Sequence, residues 1–213
     1  MKWYAGAPAR LANGEVDWDS HTLVWTLHSS GYVPNKDTHA VVSDLTNELP
    51  SGSGYTPGTA SGGGLALGSP ARTYTPADSW GTQRANSTVY VVDDVFRPAA
   101  ANGLIYRVVV AGTSAGSPPT FPTAIGATAT DGTATIACVG RGITVLACDN
   151  PTWTAPFSAG PARIAVLSDR SSGNNATNPL IGYVDFAADK SGSAGTFTII
   201  LHPTLRALHM FSV

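Results

Sequence analysis

The chain has 213 residues and a mass of 21.9 kDa, and 43% of its residues are apolar, which is enough to bury the core of one large domain or two small ones. Only 12% of the residues are charged, and the net charge of −2 comes without a basic run, which argues against a nucleic-acid-binding surface. A chain rich in Gly, Thr, Ala and Val is typical of many short strands joined by turns, and it excludes a helical bundle or a coiled coil.

In the first third, a two-residue alternation predicts a strand at 22–27 (TLVWTL). A turn is expected at 31–37, and a short helix is predicted at 39–45, after a capping Asp or Thr. The segment 51–69 (SGSGYTPGTASGGGLALGS) is so rich in Gly that we expect a loop or a bulged strand there.

The middle of the chain has the pattern of a separate small module. Strands are predicted at 88–92 (TVYVV) and 104–110 (LIYRVVV), separated by a turn or bulge. Further on, Asp131-Gly132 lies between two Thr- and Ala-rich stretches, which predicts a hairpin whose second strand is 133–139.

The last third returns to a plain strand pattern. Strands are predicted at 163–168, 181–186, 196–201 and 205–213. Strict alternation in the second of them would place Ile181 and Tyr183 on the same face. Because the connections are short and strands dominate, the predicted fold is all-β: an antiparallel β-sandwich or barrel with at most one short helix.

Neither a membrane span nor a secretory signal is predicted. No apolar run approaches the roughly 20 residues needed to cross a bilayer. The N-terminus (MKWYAGAPARLANGEVDWD) has one Lys but no apolar stretch after it. We therefore expect no membrane partner and a protein that first accumulates in the cytoplasm of the cell that makes it.

The two cysteines, Cys138 and Cys148, lie ten residues apart. Their spacing fits no zinc pattern, and a hairpin between them would bring them close enough to pair. The prediction is two small, buried apolar side chains, with a disulfide left open.

Asp17, Asp19 and His21 alternate in the sequence DWDSH, which on a strand would put a metal-binding set on one face. No further ligand is tied to them by spacing, so a solvated face opposite a buried Trp18 is the favoured interpretation.

The remaining titratable residues give no catalytic pattern. His39 and Asp44 are five residues apart, off one helical face, so a capping or turn role is favoured for them and for Glu48. His202 and His209 match no motif and are expected at the surface or in an interface. There is no G-x-S-x-G, and the glycines 62–64 lack the strand, helix and Lys of a phosphate-binding loop. We predict no catalytic, cofactor or metal site, and no enzyme.

Aromatic residues allow a second interpretation, a sugar-binding platform, because aromatic faces stack on pyranose C–H groups. The candidates are Trp80, Tyr90, Tyr106, Phe121 and Trp153. The favoured alternative is that all five belong to the core.

Three segments resemble a family of virion structural proteins of tailed bacteriophages. They are the opening 1–49 (MKWYAGAPARLANGEVDWDSHTLVWTLHSSGYVPNKDTHAVVSDLTNEL), 47–60 (NELPSGSGYTPGTA) and 178–201 (NPLIGYVDFAADKSGSAGTFTIIL). The segment 89–140 looks like a module that recurs across phage capsid and tail proteins, and family members often lack it. The resemblance implies a β core built from 1–68 and 144–213, with an inserted β module at 69–143.

The resemblance further implies a capsid decoration (cement) protein, located on the exterior of the virion head after assembly in the host cytoplasm. Its partners would be the major capsid protein and copies of itself, as a homotrimer at a symmetry point of the shell. The alternative is a tail or fibre component that contacts the host surface or its glycans through the inserted module. A glycan-active enzyme is a third reading, which no motif supports.

Overall fold

The computed structural model describes residues 1–58, 63–201 and 208–212, with the backbone alone for Ala155 and for 208–212. It is 41% strand and 6% helix, with several antiparallel sheets, which confirms the all-β prediction. In the described part of the chain the helical segments are one short α-helix, α1 (Ala7–Ala12), and two 3-10 turns, Val42–Asp44 and Ala77–Ser79. Pro8 in the first turn of α1 lacks an N–H that the helix would leave unbonded there.

The described strands are β1 (Lys2–Trp3), β2 (Leu23–His28), β3 (Leu65–Ala66), β4 (Ala71–Pro76), β5 (Val89–Tyr90), β6 (Val95–Phe96), β7 (Ile105–Val110), β8 (Gly112–Thr113), β9 (Thr128–Asp131), β10 (Ala134–Gly140), β11 (Gly142–Ala147), β12 (Thr152–Phe157), β13 (Ala162–Asp169), β14 (Leu180–Lys190), β15 (Gly195–Thr198) and β16 (Leu208–Ser212).

The chain divides into two compact units. The first contains Met1–Arg72 and Leu146–Leu208, and the second contains Thr73–Val145 and the chain end from His209. The two boundaries predicted from the sequence lie after residues 68 and 143, and the chain end was predicted to belong to the first unit.

The first unit is built on a five-stranded antiparallel sheet in the order β1-β14-β13-β2-β3. In its centre Trp25 of β2 pairs with Leu167 of β13, and both side chains point to the face that the two-stranded sheet β12–β15 covers. Trp153 and Phe157 of β12 pack into this core. The alternating apolar residues of β2 therefore point to the face that the two-stranded sheet β12–β15 buries.

The opposite face of this sheet is also buried. Tyr4, Tyr32 and Val42 pack there against Val166 of β13 and Tyr183 of β14. The segments before and after β2 supply this cover, so the central strands are buried on both faces.

The second unit contains a four-stranded sheet in the order β6-β7-β10-β9 and a small sheet of β5 and β8. Its core consists of Tyr90, Phe96, Leu104, Tyr106, Val108, Ile136 and Cys138. A three-stranded sheet, in the order β16-β11-β4, is made mainly of residues of this unit.

The helix predicted at 39–45 is wrong, because the chain forms only the 3-10 turn Val42–Asp44 there. The Asp44 carboxylate accepts hydrogen bonds from the N–H groups of Ala40 and Val41, 2.8 and 3.0 Å away, and so competes with a regular helix. The actual α-helix, α1, lies in a segment for which no helix was predicted.

The alternation predicted for 181–186 also differs. The register of β13 and β14 shifts between Leu167 and Ser168, which leaves Ile181 as an extra residue on β14. Ile181 therefore points to the face that the two-stranded sheet β12–β15 covers, and Tyr183 points to the opposite face. Because the bulge adds one residue, the residues beyond it point to the face opposite to the one that strict alternation would give them.

Candidate functional site

Four valine side chains of the second unit are exposed. Val89 is 73% exposed, Val91 59%, Val92 52% and Val110 53%. We call these four side chains the valine surface. Single exposed apolar residues are ordinary, but a cluster of them marks a surface that a partner can cover.

Backbone pairing places the four valines on two adjacent segments of chain, 89–92 and the end of β7. β5 pairs with β8 just before the turn at 91–94, and within that turn the Asp93 N–H donates to Val108 O at 2.9 Å. Residues 91–92 therefore run antiparallel to 109–111, which places Val91 and Val92 on the chain segment next to Val110.

The local sequence explains why these valines point outward. The Asp94 N–H donates to Val91 O at 3.2 Å, and Asp93 has a φ of 75°, as the third residue of a type II turn does. The Asp94 carboxylate accepts the Val91 N–H at 2.8 Å and fixes the turn. Tyr90 points into the core, so its neighbours Val89 and Val91 point away from it.

The valine surface can bind an apolar partner by burial, and it offers little for chemistry. Its nearest ion pair, Arg107 with Asp93 at 3.6 Å, is partly exposed. The strand TVYVV was predicted from the sequence, but this surface was not. Apolar residues stand at both parities of that segment, and alternation alone does not tell which of them face the core.

The DWDSH segment is a turn and not a strand. Within it, the Asp17 carboxylate accepts the Asp19 N–H at 2.9 Å, and hydrogen bonds from Ser20 and from that N–H hold the pKa of Asp17 below its ordinary value. The His21 Nδ1 lies 3.2 Å from the Asp17 backbone nitrogen and 2.6 Å from Asp169 Oδ2, so the imidazole contacts a carboxylate from outside the segment. The structure therefore does not bring the three predicted ligands together on one strand face.

Trp18 is fully buried, as the favoured interpretation of that segment requires, and its Nε1–H donates to Ala147 O at 2.9 Å.

The residues at and after the predicted helix hold loops together. The two backbone N–H groups bound by Asp44 lower the pKa of its carboxyl group, which fits the capping role. His39 Nδ1 lies 3.0 Å from the Tyr32 hydroxyl, and the two rings stack. Glu48 accepts the Tyr55 hydroxyl proton at 2.7 Å and the Gly58 N–H.

A buried histidine that the sequence analysis did not single out, His28, lies on the second face of the sheet. It is completely buried, its Nδ1 lies 2.8 Å from Thr46 O, and its Nε2 lies 2.9 Å from Thr26 Oγ1. Burial lowers the pKa of His28 and favours the neutral ring. Because both ring nitrogens are hydrogen-bonded inside the protein, neither faces a ligand.

The aromatic residues proposed as a sugar platform belong to core packing. Trp80, Tyr90, Tyr106 and Trp153 are buried, and Phe121 packs against the core of the second unit. Four of the rings contact other aromatic rings, and the Trp80 Nε1–H donates to Val95 O at 3.2 Å, so these five residues form no exposed platform.

Both cysteines are buried and form no disulfide, as predicted for two small apolar side chains. His202 and the side chain of His209 lie outside the described residues. In the described ranges, no group of three or more His, Cys, Asp or Glu side chains has the arrangement of a metal site. None of the helices in those ranges is long and apolar enough to cross a membrane.

No family model matches the sequence, and no curated protein or solved structure gives a significant match to it.

Proposed function

We propose that this chain is a structural protein of a tailed-bacteriophage virion, and specifically a decoration (cement) protein on the exterior of the head. The observation that carries the proposal is where the phage-like segments lie. Segments 1–49, 47–60 and 178–201 all belong to the first unit, whereas the recurring module 89–140 belongs to the second. The segments that resemble one family therefore fall in one compact unit.

On this proposal the first unit contacts the major capsid protein, and three copies meet at a symmetry point of the shell. Many weak contacts of standard size or smaller, repeated over the shell, resist internal pressure collectively. A low fraction of charged residues leaves more surface that can be buried between copies.

A second candidate is a tail or fibre component that contacts the host surface or its glycans through the second unit. The valine surface favours it, because it gives that unit an apolar contact area.

Copy number separates the two candidates. We expect quantitative mass spectrometry of purified virions, calibrated against the major capsid protein, to give hundreds of copies per virion. In a particle map we expect these copies to be related by a local threefold axis. A few to a dozen copies would support the tail assignment instead, and copies without a local rotation axis would exclude the trimer.

Variants of the valine surface test which unit contacts the shell. Replacing Val89, Val91 and Val110 with Thr keeps the shape and the strand preference while adding hydroxyl groups. We expect the triple variant to occupy undecorated heads as the wild type does, because on this proposal the first unit makes the contact with the shell. The control is Val33→Thr, at an exposed valine of the first unit. Loss of head binding in a folded triple variant would assign the shell contact to the second unit.

A further inference from the structure

The sequence contains two Asn-Gly dipeptides, Asn13-Gly14 and Asn102-Gly103. At such a dipeptide the glycine nitrogen can attack the asparagine Cγ and close a five-membered ring. Glycine permits the attack because no Cβ crowds the approach of its nitrogen. The two sites differ in the groups that surround the reacting atoms.

At Asn102 each reacting atom has a hydrogen-bond partner that suits the reaction. The Gly103 N–H donates to Asp78 Oδ1 at 2.8 Å. The Leu104 N–H donates to Asn102 Oδ1 at 3.1 Å. Asn102 Nδ2 donates to the Tyr106 hydroxyl oxygen at 2.9 Å.

We propose that Asn102 is a site of self-catalysed deamidation. Asp78 accepts the proton of the Gly103 N–H as that nitrogen bonds to Cγ of Asn102. The negative charge that develops on Oδ1 faces the Leu104 N–H, which stabilises it as an oxyanion-hole donor does. The Cγ–Nδ2 bond then breaks, ammonia leaves with a proton from water, and that water recovers the proton held by Asp78; water reaches the site because Asn102 is exposed. Water opens the resulting succinimide to aspartate or isoaspartate.

Tyr106 acts as a positioning residue. Its hydroxyl donates to Pro122 O at 2.9 Å, so its oxygen is left to accept from an N–H of Asn102. This arrangement turns the amide so that its oxygen, and not its nitrogen, faces the Leu104 N–H. Because Leu104 and Tyr106 are buried, both partners are held in place while Asn102 remains open to water.

The site at Asn13 provides a control within the same molecule. The Gly14 N–H donates to Leu11 O at 3.3 Å, and a peptide carbonyl is a much weaker base than a carboxylate. The Asn13 amide nitrogen lies 3.4 Å from the Glu15 carboxylate, near the limit of a hydrogen bond.

The test incubates the purified full-length protein at neutral pH and follows deamidation of both dipeptides by peptide mass spectrometry with isoaspartate detection. In the native protein we expect Asn102 to react about tenfold faster than Asn13, a modest share of what a positioned base contributes in enzymes. In urea the two rates should become equal, because both sites have the same dipeptide. Equal rates in the native protein would overturn the proposal.

The Asp78→Asn variant separates the base from the hydrogen bond, since it keeps an acceptor oxygen of the same shape. It should slow Asn102 by about tenfold and leave Asn13 unchanged. Hydrogen exchange in β7 checks that the variant is folded. An unchanged rate at Asn102 in the folded variant would rule out Asp78 as the base. The comparison of native and unfolded wild type needs no variant, so the proposal remains testable if Asp78→Asn does not fold.

Discussion

Arg84 and Asp131 form a buried ion pair in the second unit, with 2% and 1% of their side chains exposed. Arg84 Nε and Nη2 each lie 2.7 Å from one oxygen of the carboxylate. Arg84 Nη2 also donates to Ala115 O, and Asp131 Oδ1 accepts the Ala115 N–H. The pair therefore ties three separate stretches of chain together with charge-assisted bonds.

Replacing Asp131 with Asn should destabilise the second unit by about 3–5 kcal/mol, because it leaves the Arg84 guanidinium buried without its counter-ion. Urea unfolding followed by amide exchange in β10 measures the loss. The control is Asp185→Asn, which removes the partner of Arg163 in an exposed pair and should change stability little. Equal effects of the two variants would contradict the role assigned to burial.

The same pair should give stability a pH dependence. Burial by itself raises the pKa of Asp131, but the hydrogen bonds from Arg84 and Ala115 outweigh it and hold the pKa below its ordinary value. The stabilisation is therefore complete above the unfolded pKa of about 3.9 and is lost as pH falls through the lower folded value. The difference in unfolding free energy between wild type and Asp131→Asn should therefore become smaller as the pH falls through that folded value.

At the scale of elements, the β9–β10 hairpin depends on one glycine. Gly132 has a φ of 67°, and a Cβ built on it would lie 2.2 Å from Thr113 O. The turn therefore needs glycine both for its backbone conformation and for the close approach of the neighbouring chain. The Asp-Gly signal in the sequence predicted the turn, but only the fold shows the second requirement.

Gly132→Ala should therefore lower the free energy of unfolding by more than about 1–2 kcal/mol, which is the cost of the left-handed conformation alone for a residue with a Cβ. Gly126→Ala is the matched control, because Gly126 also has a positive φ and nothing lies within 4 Å of its added Cβ. Urea unfolding of the two variants, followed by amide exchange in β10, gives both costs. Equal losses would mean that the chain near Thr113 moves aside without penalty.

At the scale of the whole molecule, the first unit has its own core, and the ends of its two pieces of chain lie close together. Among the described residues, the members of its two apolar clusters all come from Met1–Arg72 and Leu146–Leu208. Near the ends of these two pieces, the Asp149 N–H donates to Gly68 O at 2.9 Å, and the Ser69 hydroxyl donates to Asp149 Oδ2 at 2.7 Å. A short linker can therefore join the two pieces.

We expect a chain in which Gly-Ser-Gly replaces Thr73–Val145, and which ends after Leu208, to fold as the first unit. Shortening a surface connection changes closure entropy by only about 0.6 kcal/mol per halving of its length. The measurement is urea unfolding, with a single cooperative transition and preserved amide exchange in β13 as the expected result. The control deletion extends through Cys148. It removes the core residues Leu146 and Cys148 as well, and the resulting chain should not fold. A collapsed, non-cooperative product of the first deletion would show that the unit needs the rest of the chain.

The sequence by itself determined the β class and the positions of about half of the described strands, because a two-residue apolar period is a local property of the chain; the six-residue strands β4, β11 and β12 were not predicted. It predicted the strands that are now β2, β7 and β13 almost to their ends, and the Asp131-Gly132 turn. Local pattern failed where a single extra residue intervened, at the bulge of Ile181, and where a side chain competed for backbone groups, at Asp44.

Only the tertiary structure decided which polar groups meet and which apolar groups remain exposed. His21 meets Asp169 across 148 residues of sequence, and Arg84 meets Asp131 across 47. The segment that carries Val91 is held beside β7 by the hydrogen bond from the Asp93 N–H to Val108 O, a pairing that the sequence of 88–92 does not show. Such contacts are set by how strands pair and which faces become covered, and no short stretch of sequence contains that information.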